Sequence, residues 1–270
     1  MDEELTRLLR NLQGRAFGKY RGFVADNNDP DKRGRLRLRV PALFGAEETD
    51  WALPCLPFGG VADQGLYLIP EVDAQVWVEF EGGDRSYPVW TGTFWQASGD
   101  APTTANEPTQ RVLKTPKGHI LRFDDADDSE AIHIEHSAGA TIDIDSHGTI
   151  TLTDASGDAL TLDAQNSKSV LEDANGNTIT LDSAGVTVED ANGNKIEMTS
   201  ASVKVTGQQV IVDAQQVMLG GQGGEPIIKG QSFLQLFATH FHTAAPTGGP
   251  TSPPIPQGEA TALSMKVMTT

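Results

Sequence analysis

The sequence is short of the materials of a thick core. Only 38% of its 270 residues are hydrophobic and 6% aromatic, which favours an elongated or multi-part molecule over one large close-packed domain. A single cysteine, Cys55, excludes an internal disulfide. No stretch approaches the roughly 18 to 20 apolar residues of a membrane-spanning helix, so contact with a membrane would come without a hydrophobic anchor. Basic residues are outnumbered 37 to 20, and the formal charge of −17 repels a phosphate backbone, which argues against general nucleic-acid binding. Residues 1–15 lack the basic-then-apolar pattern of a secretory signal, so synthesis in the cytoplasm is expected.

What charge there is falls in zones. Residues 1–45 hold ten basic and six acidic side chains, a surface for an acidic partner, whereas residues 118–200 hold 17 acidic and three basic ones. Leu5, Leu8, Leu9 and Leu12 recur at helical spacing, which predicts an N-terminal helix within 1–19 closed by Gly14. Over 20–95 the pattern changes to short alternating runs, such as 35–40 and 75–80, punctuated by Asp-Pro, Gly-Gly and Pro. About five strands in 75 residues fit a small closed barrel, because closure removes exposed edges. Residues 96–117 have the Ala-Thr-Pro-Gly composition of a linker through Pro108.

The next segment, 118–229, carries two-residue alternation from Gly118 to about Leu219, in Thr149–Leu152, Ala159–Leu162, Thr178–Leu181, Val186–Val188, Lys195–Met198, Val203–Val205 and Val210–Val212. The text Glu-Asp-Ala-Asn-Gly-Asn at Glu172–Asn177 returns 17 residues later at Glu189–Asn194, and Asp154–Asp158 is a weaker copy. Asn-Gly supplies tight reversals, so each repeat is strand, turn, strand. Calcium ligation by the Asp and Asn oxygens stands as a second reading of these turns, weakened by the lack of a closing bidentate Glu. The Ile, Val and Leu stripe has no helix to cover it, and isolated hairpins are marginal. Burial against two further copies of the chain, in an intertwined homotrimer, solves that problem; a monomeric β-solenoid is the alternative.

Two segments then resemble a known family. Gly22–Pro41, with its Asp29-Pro30 turn and Gly34-Arg35 strand start, and Ile69–Asp84 followed by Pro88–Gly92, are similar to the oligonucleotide/oligosaccharide-binding (OB) barrel in central spike proteins of contractile tails. Gly118–Asp125 resembles the start of the spike region in VgrG-type proteins, so the matching text covers roughly 20–125. The resemblance is to the phage baseplate assembly protein V and VgrG-like spike family. It implies a mainly β chain, with an N-terminal OB-fold barrel followed by an elongated intertwined trimeric β-helix. It further implies a mechanical role: the barrel sits on a tail hub protein, and the needle is driven through a target envelope when the sheath contracts. The chain has no room for hub domains before the barrel or for a muramidase between barrel and needle, so a separate hub protein and no enzymatic activity are expected. The localisation implied is the baseplate of a phage virion or of another contractile injection particle.

Arg35, Arg37 and Arg39 alternate, which places three guanidinium groups on one barrel face. They are candidates for the hub interface; binding of single strands or sugars is the other use of such a face. At residues 230–270, a C-terminal tip segment, His240 and His242 stand two apart. In an extended segment both imidazoles share one face, and three chains would supply six nitrogens suited to iron or another transition metal on a three-fold axis. The family resemblance points the same way, since several phage spikes bind iron through such a pair. Against it, Phe233, Leu234, Phe237 and Phe241 have helical spacing, which leaves a hydrophobic plug carrying two histidines as the alternative. His119, His133, His136 and His147 read as surface or packing residues. The Pro-rich tail after His242 would wrap the needle's end or dock a tip protein of the PAAR type, which caps spikes of this family. The rival function from another class is a β-helical polysaccharide-binding or polysaccharide-processing protein, which would need carboxylates and basic groups converging on a groove.

Overall fold

The computed structural model describes residues 14–105, 107–215 and 230–239. The leucines of the expected N-terminal helix lie outside them, as does the Pro-rich tail; residues 14–19, at and beyond the expected stop at Gly14, are not helical.

Alternation drives the first sheet. It holds β1 (Tyr20–Asp26), β2 (Arg37–Arg39), β3 (Leu53–Pro54), β4 (Gln75–Phe80) and β5 (Pro88–Thr93) in the order β2-β1-β4-β5-β3. β1 pairs antiparallel with both β2 and β4, and β3 pairs parallel with β5. Antiparallel bridges from Leu36 to Ala52 and from Arg39 to Glu48 join the β2 strand to the β3 strand, so the pairing returns to where it began. This five-stranded closure is the OB topology. Val24, Leu36, Leu38, Val40, Val76 and Val78 point inward and are fully buried, with Phe80 and Trp90 beside them. The short helix α1 (Pro41–Phe44) starts on a proline whose fixed φ suits the first turn, and it brings Phe44 edge-on to Phe80 at 6.0 Å.

The second sheet has eleven strands: β6 (Gln110–Lys114), β7 (Ile120–Asp124), β8 (Ala131–Glu135), β9 (Thr141–Ile144), β10 (Ile150–Thr153), β11 (Ala159–Asp163), β12 (Lys168–Glu172), β13 (Thr178–Asp182), β14 (Gly185–Glu189), β15 (Lys195–Thr199) and β16 (Val203–Thr206). Each pairs antiparallel with its neighbours in sequence. The sheet therefore begins at Gln110, inside the stretch expected to be linker up to residue 117. Over this region the backbone hydrogen bonds close between consecutive strands of one chain, as an up-and-down meander.

The described residues from Gly207 onward, 207–215 and 230–239, belong to a separate unit. Val210–Val212, expected as a further strand, is exposed and not in one; β-branched residues favour extension, but a strand exists only where a partner supplies the ladder. Helix α2 (Gly230–Thr239) stacks Phe233 on Phe237 one turn later, ring centroids 5.9 Å apart. The helical spacing was therefore the correct reading there. His240 and His242 lie outside the described residues.

Candidate functional site

The arginines proposed for a barrel interface are each engaged at home. Arg35 donates to both oxygens of Asp29 and, at 2.6 Å, to Asp31. Its side chain is only 15% exposed and that of Asp29 2%. Asp29 also accepts the backbone N–H groups of Asp31, Arg33 and Arg35, so one carboxylate organises the whole Asp29–Arg35 turn. Arg35, ahead of those three N–H groups, holds the Asp29 carboxyl far below the usual carboxylate range. Arg37 pairs with Glu48 at 3.7 Å, Arg39 pairs with Asp73, and Trp51 lies under both Arg35 and Arg37 at 5.7 and 5.6 Å. The shared face is thus present, but Arg35 is a structural member of it. Charge spacing alone did not show a second outer patch, where Arg21 lies over Trp77 and Phe94, themselves 4.6 Å apart.

The second sheet leaves its apolar face bare. Cross-strand register sets two unbroken ladders. One runs Phe123, Ile132, Ile144, Ile150, Leu162, Ser169, Leu181, Val186, Met198, Val203. The other runs Leu113, Leu121, Ile134, Ile142, Leu152, Leu160, Leu171, Ile179, Val188, Ile196, Val205. At roughly 4.8 Å per strand the longer ladder extends about 48 Å. Leu152, Leu160, Leu171, Ile179, Val188 and Ile196 are 37–49% exposed, while Thr151, Thr161 and Thr180 on the opposite face are half-buried. Exposing aliphatic side chains in a continuous stripe of this size marks an interaction surface. Ser169 is the one polar interruption, and an open hollow ringed by Ile150, Leu162, Ser169 and Leu181 lies there.

The repeated turns form a third feature. In Asp173–Asn177, Oδ1 of Asp173 accepts the N–H of Asn175 and of Asn177, and Oδ2 accepts both Asn side-chain amides. Those donors, the Asn177 amide foremost, pull the Asp173 carboxyl down to about 2. Gly176, at φ 85°, completes the reversal. The carboxylate oxygens thus accept N–H donors of their own turn, the hairpin chemistry that is the first reading of these runs. Among the described residues no group of three or more His, Cys, Asp or Glu is arranged to hold a metal ion. One histidine does join a charged cluster: His133 lies 2.5 Å from Asp143 and 3.3 Å from Glu135 on the polar face. Among the described residues no helix is long and apolar enough to cross a membrane.

Residues 20–95 match the family described as the type VI secretion system/phage-baseplate injector OB domain. The matched segment coincides with the five-stranded barrel, and it supports placing the chain with the baseplate spike proteins. No curated protein sequence matches the chain.

Proposed function

We propose that this protein, built on a baseplate-injector OB domain, is the central spike of a contractile injection machine. Its barrel docks on a tail hub protein and its sheet assembles with two further copies into a trimeric β-structured needle that punctures a target envelope when the sheath contracts. The bare double ladder is the observation that carries this reading. Covering a side chain that is about 40% exposed is worth on the order of 1 kcal/mol at about 25 cal/mol per Å². The sixteen exposed members of the two ladders therefore supply on the order of 16 kcal/mol per chain against the cost of association. Three flat faces meeting around an axis satisfy all of them, with Thr, Asp and Glu left to solvent. The expected role is mechanical and not enzymatic. Arg37 and Arg39, the exposed members of the alternating triplet, remain the proposed hub contacts. His240 and His242 would hold iron or another transition metal at the tip, and the Pro-rich tail would receive a PAAR-type cap. Contact with the envelope is transient, nucleic acid is not a partner, and the site of action is the baseplate of a phage or of another injection particle.

Light scattering of the purified protein tests the central step. A mass of three times 28.8 kDa that persists on dilution is expected; a well-ordered monomer would defeat the proposal.

A further inference from the structure

The turns along one edge of the eleven-stranded sheet follow one rule, and two of them keep it with histidine. Asp154, Asp173 and Asp190 open their turns, and each accepts the N–H two residues on through Oδ1, at 2.7, 2.9 and 2.9 Å. His136 opens the turn between β8 and β9, and its Nδ1 accepts the N–H of Ala138 at 3.1 Å. Successive turns are also tied to each other. Oδ1 of Asp158, which ends one turn, accepts the N–H of Ala174 in the next at 2.8 Å, and Oδ1 of Asn177 accepts that of Ala191 at 3.2 Å. His119, ending the turn between β6 and β7, does the same through Nδ1 to the N–H of Ser137 at 3.3 Å. The two rings lie 4.5 Å apart.

An Asp or Asn oxygen at these positions remains an acceptor throughout the physiological range, whereas an imidazole changes between about pH 5 and 8. An imidazolium carries N–H on both nitrogens and accepts nothing. We propose that His119 and His136 form an acid-sensitive latch: neutral, they tie the first two turns of this edge together, and protonated, they release both backbone N–H groups and face each other as two cations. The surrounding charges do not offset this. The nearby elements carry Lys114 and Lys117 before His119, Glu135 next to His136, Asp143 on β9, and Asp154 and Asp158 in the following turn. Among the described residues, the ion pairs made by histidine belong to His133, which takes both Asp143 and Glu135. The opening would also stop locally. The second turn ends in Ala140, which has no side-chain acceptor to pass the tie to the turn at Asp154.

Hydrogen exchange of the intact protein at about pH 7.5 and about pH 5, corrected for intrinsic rates, tests the latch. The amides of Ser137 and Ala138 are each expected to lose roughly fivefold in protection on acidification, as the loss of one hydrogen bond of about 1 kcal/mol at each would give. The amides of Ala174 and Asn175, held by Asp158 and Asp173, should not change and serve as the control within the same molecule. In a His119→Asn, His136→Asp variant, which restores the acceptors used by the later turns, protection at Ser137 and Ala138 should become independent of pH. Should that pair fail to fold, His136→Asp alone must abolish the pH response at Ala138. Equal protection of wild-type Ser137 and Ala138 at both pH values would overturn the inference, as would an undiminished response in the variants.

Discussion

Replacing Leu160 with alanine separates a lone sheet from an assembled one. Leu160 sits mid-ladder on β11, opposite Leu152 on one side and Leu171 on the other, and is 38% exposed in the single chain. In a lone sheet its truncation removes lateral contacts only, a loss of about 1 kcal/mol. Covered by two further copies, the same truncation leaves a hole in a closed core, which costs about 2 to 5 kcal/mol per chain. Because dissociation of a trimer exposes all three sites together, the penalty is on the order of 10 kcal/mol per particle. Thr161→Ala, one residue away on the opposite face, provides the reference, with an expected effect within about 1 kcal/mol. Guanidinium unfolding followed by light scattering at two protein concentrations reads both variants. Leu160→Ala should move the dissociation midpoint well below that of Thr161→Ala, with a shift that depends on concentration. Equal shifts for the two variants, independent of concentration, would refute the reasoning that the ladder is an interface.

Ser169→Val should raise the melting temperature of the proposed trimer, because it continues the ladder between Leu162 and Leu181 across the hollow; a lower melting temperature would mean that the hollow is filled by something polar. Asp173 has a folded-state pKa of about 2 against an ordinary 3.8, so its contribution to stability is present above about pH 4 and lost as pH falls through 2. Asp173→Asn should flatten the acid limb of a thermal-melting profile over that window while lowering stability at neutral pH; an unchanged limb would count against the turn network. Asp29→Asn removes the charge that holds Arg35, and near-ultraviolet dichroism of Trp90, whose Nε1 donates to Gly34 at the end of that turn, should show the barrel loosening at neutral pH; a spectrum identical to wild type would exclude the role given to Asp29.

How far the sequence could be read depended on whether a feature was local. The alternation in β10, β11 and β13 to β16 and the Asn-Gly turns need only neighbouring residues to be recognised, and they appear where expected. β6 was hidden because Gln110-Arg111-Val112-Leu113-Lys114 sets two apolar residues side by side and follows a Pro-Thr stretch, so its strand character comes from pairing with β7. β3 is two residues long and pairs parallel with a strand 36 positions later, which no local pattern announces. The arginine triplet gave a face but no partners, since Asp29 reaches Arg35 only after the Asp-Pro turn has bent the chain back. The histidines were legible in principle. Aligning the turns by their glycines, Gly118, Gly139, Gly157, Gly176 and Gly193, sets His136 in the column of Asp154, Asp173 and Asp190, and His119 in the column of Asp158 and Asn177. Reading them one at a time lost that column, because a side chain's role in a repeat is set by its position in the unit. The same alignment places Ala140 in the His119 column, and so marks from sequence alone where the tie between turns must break.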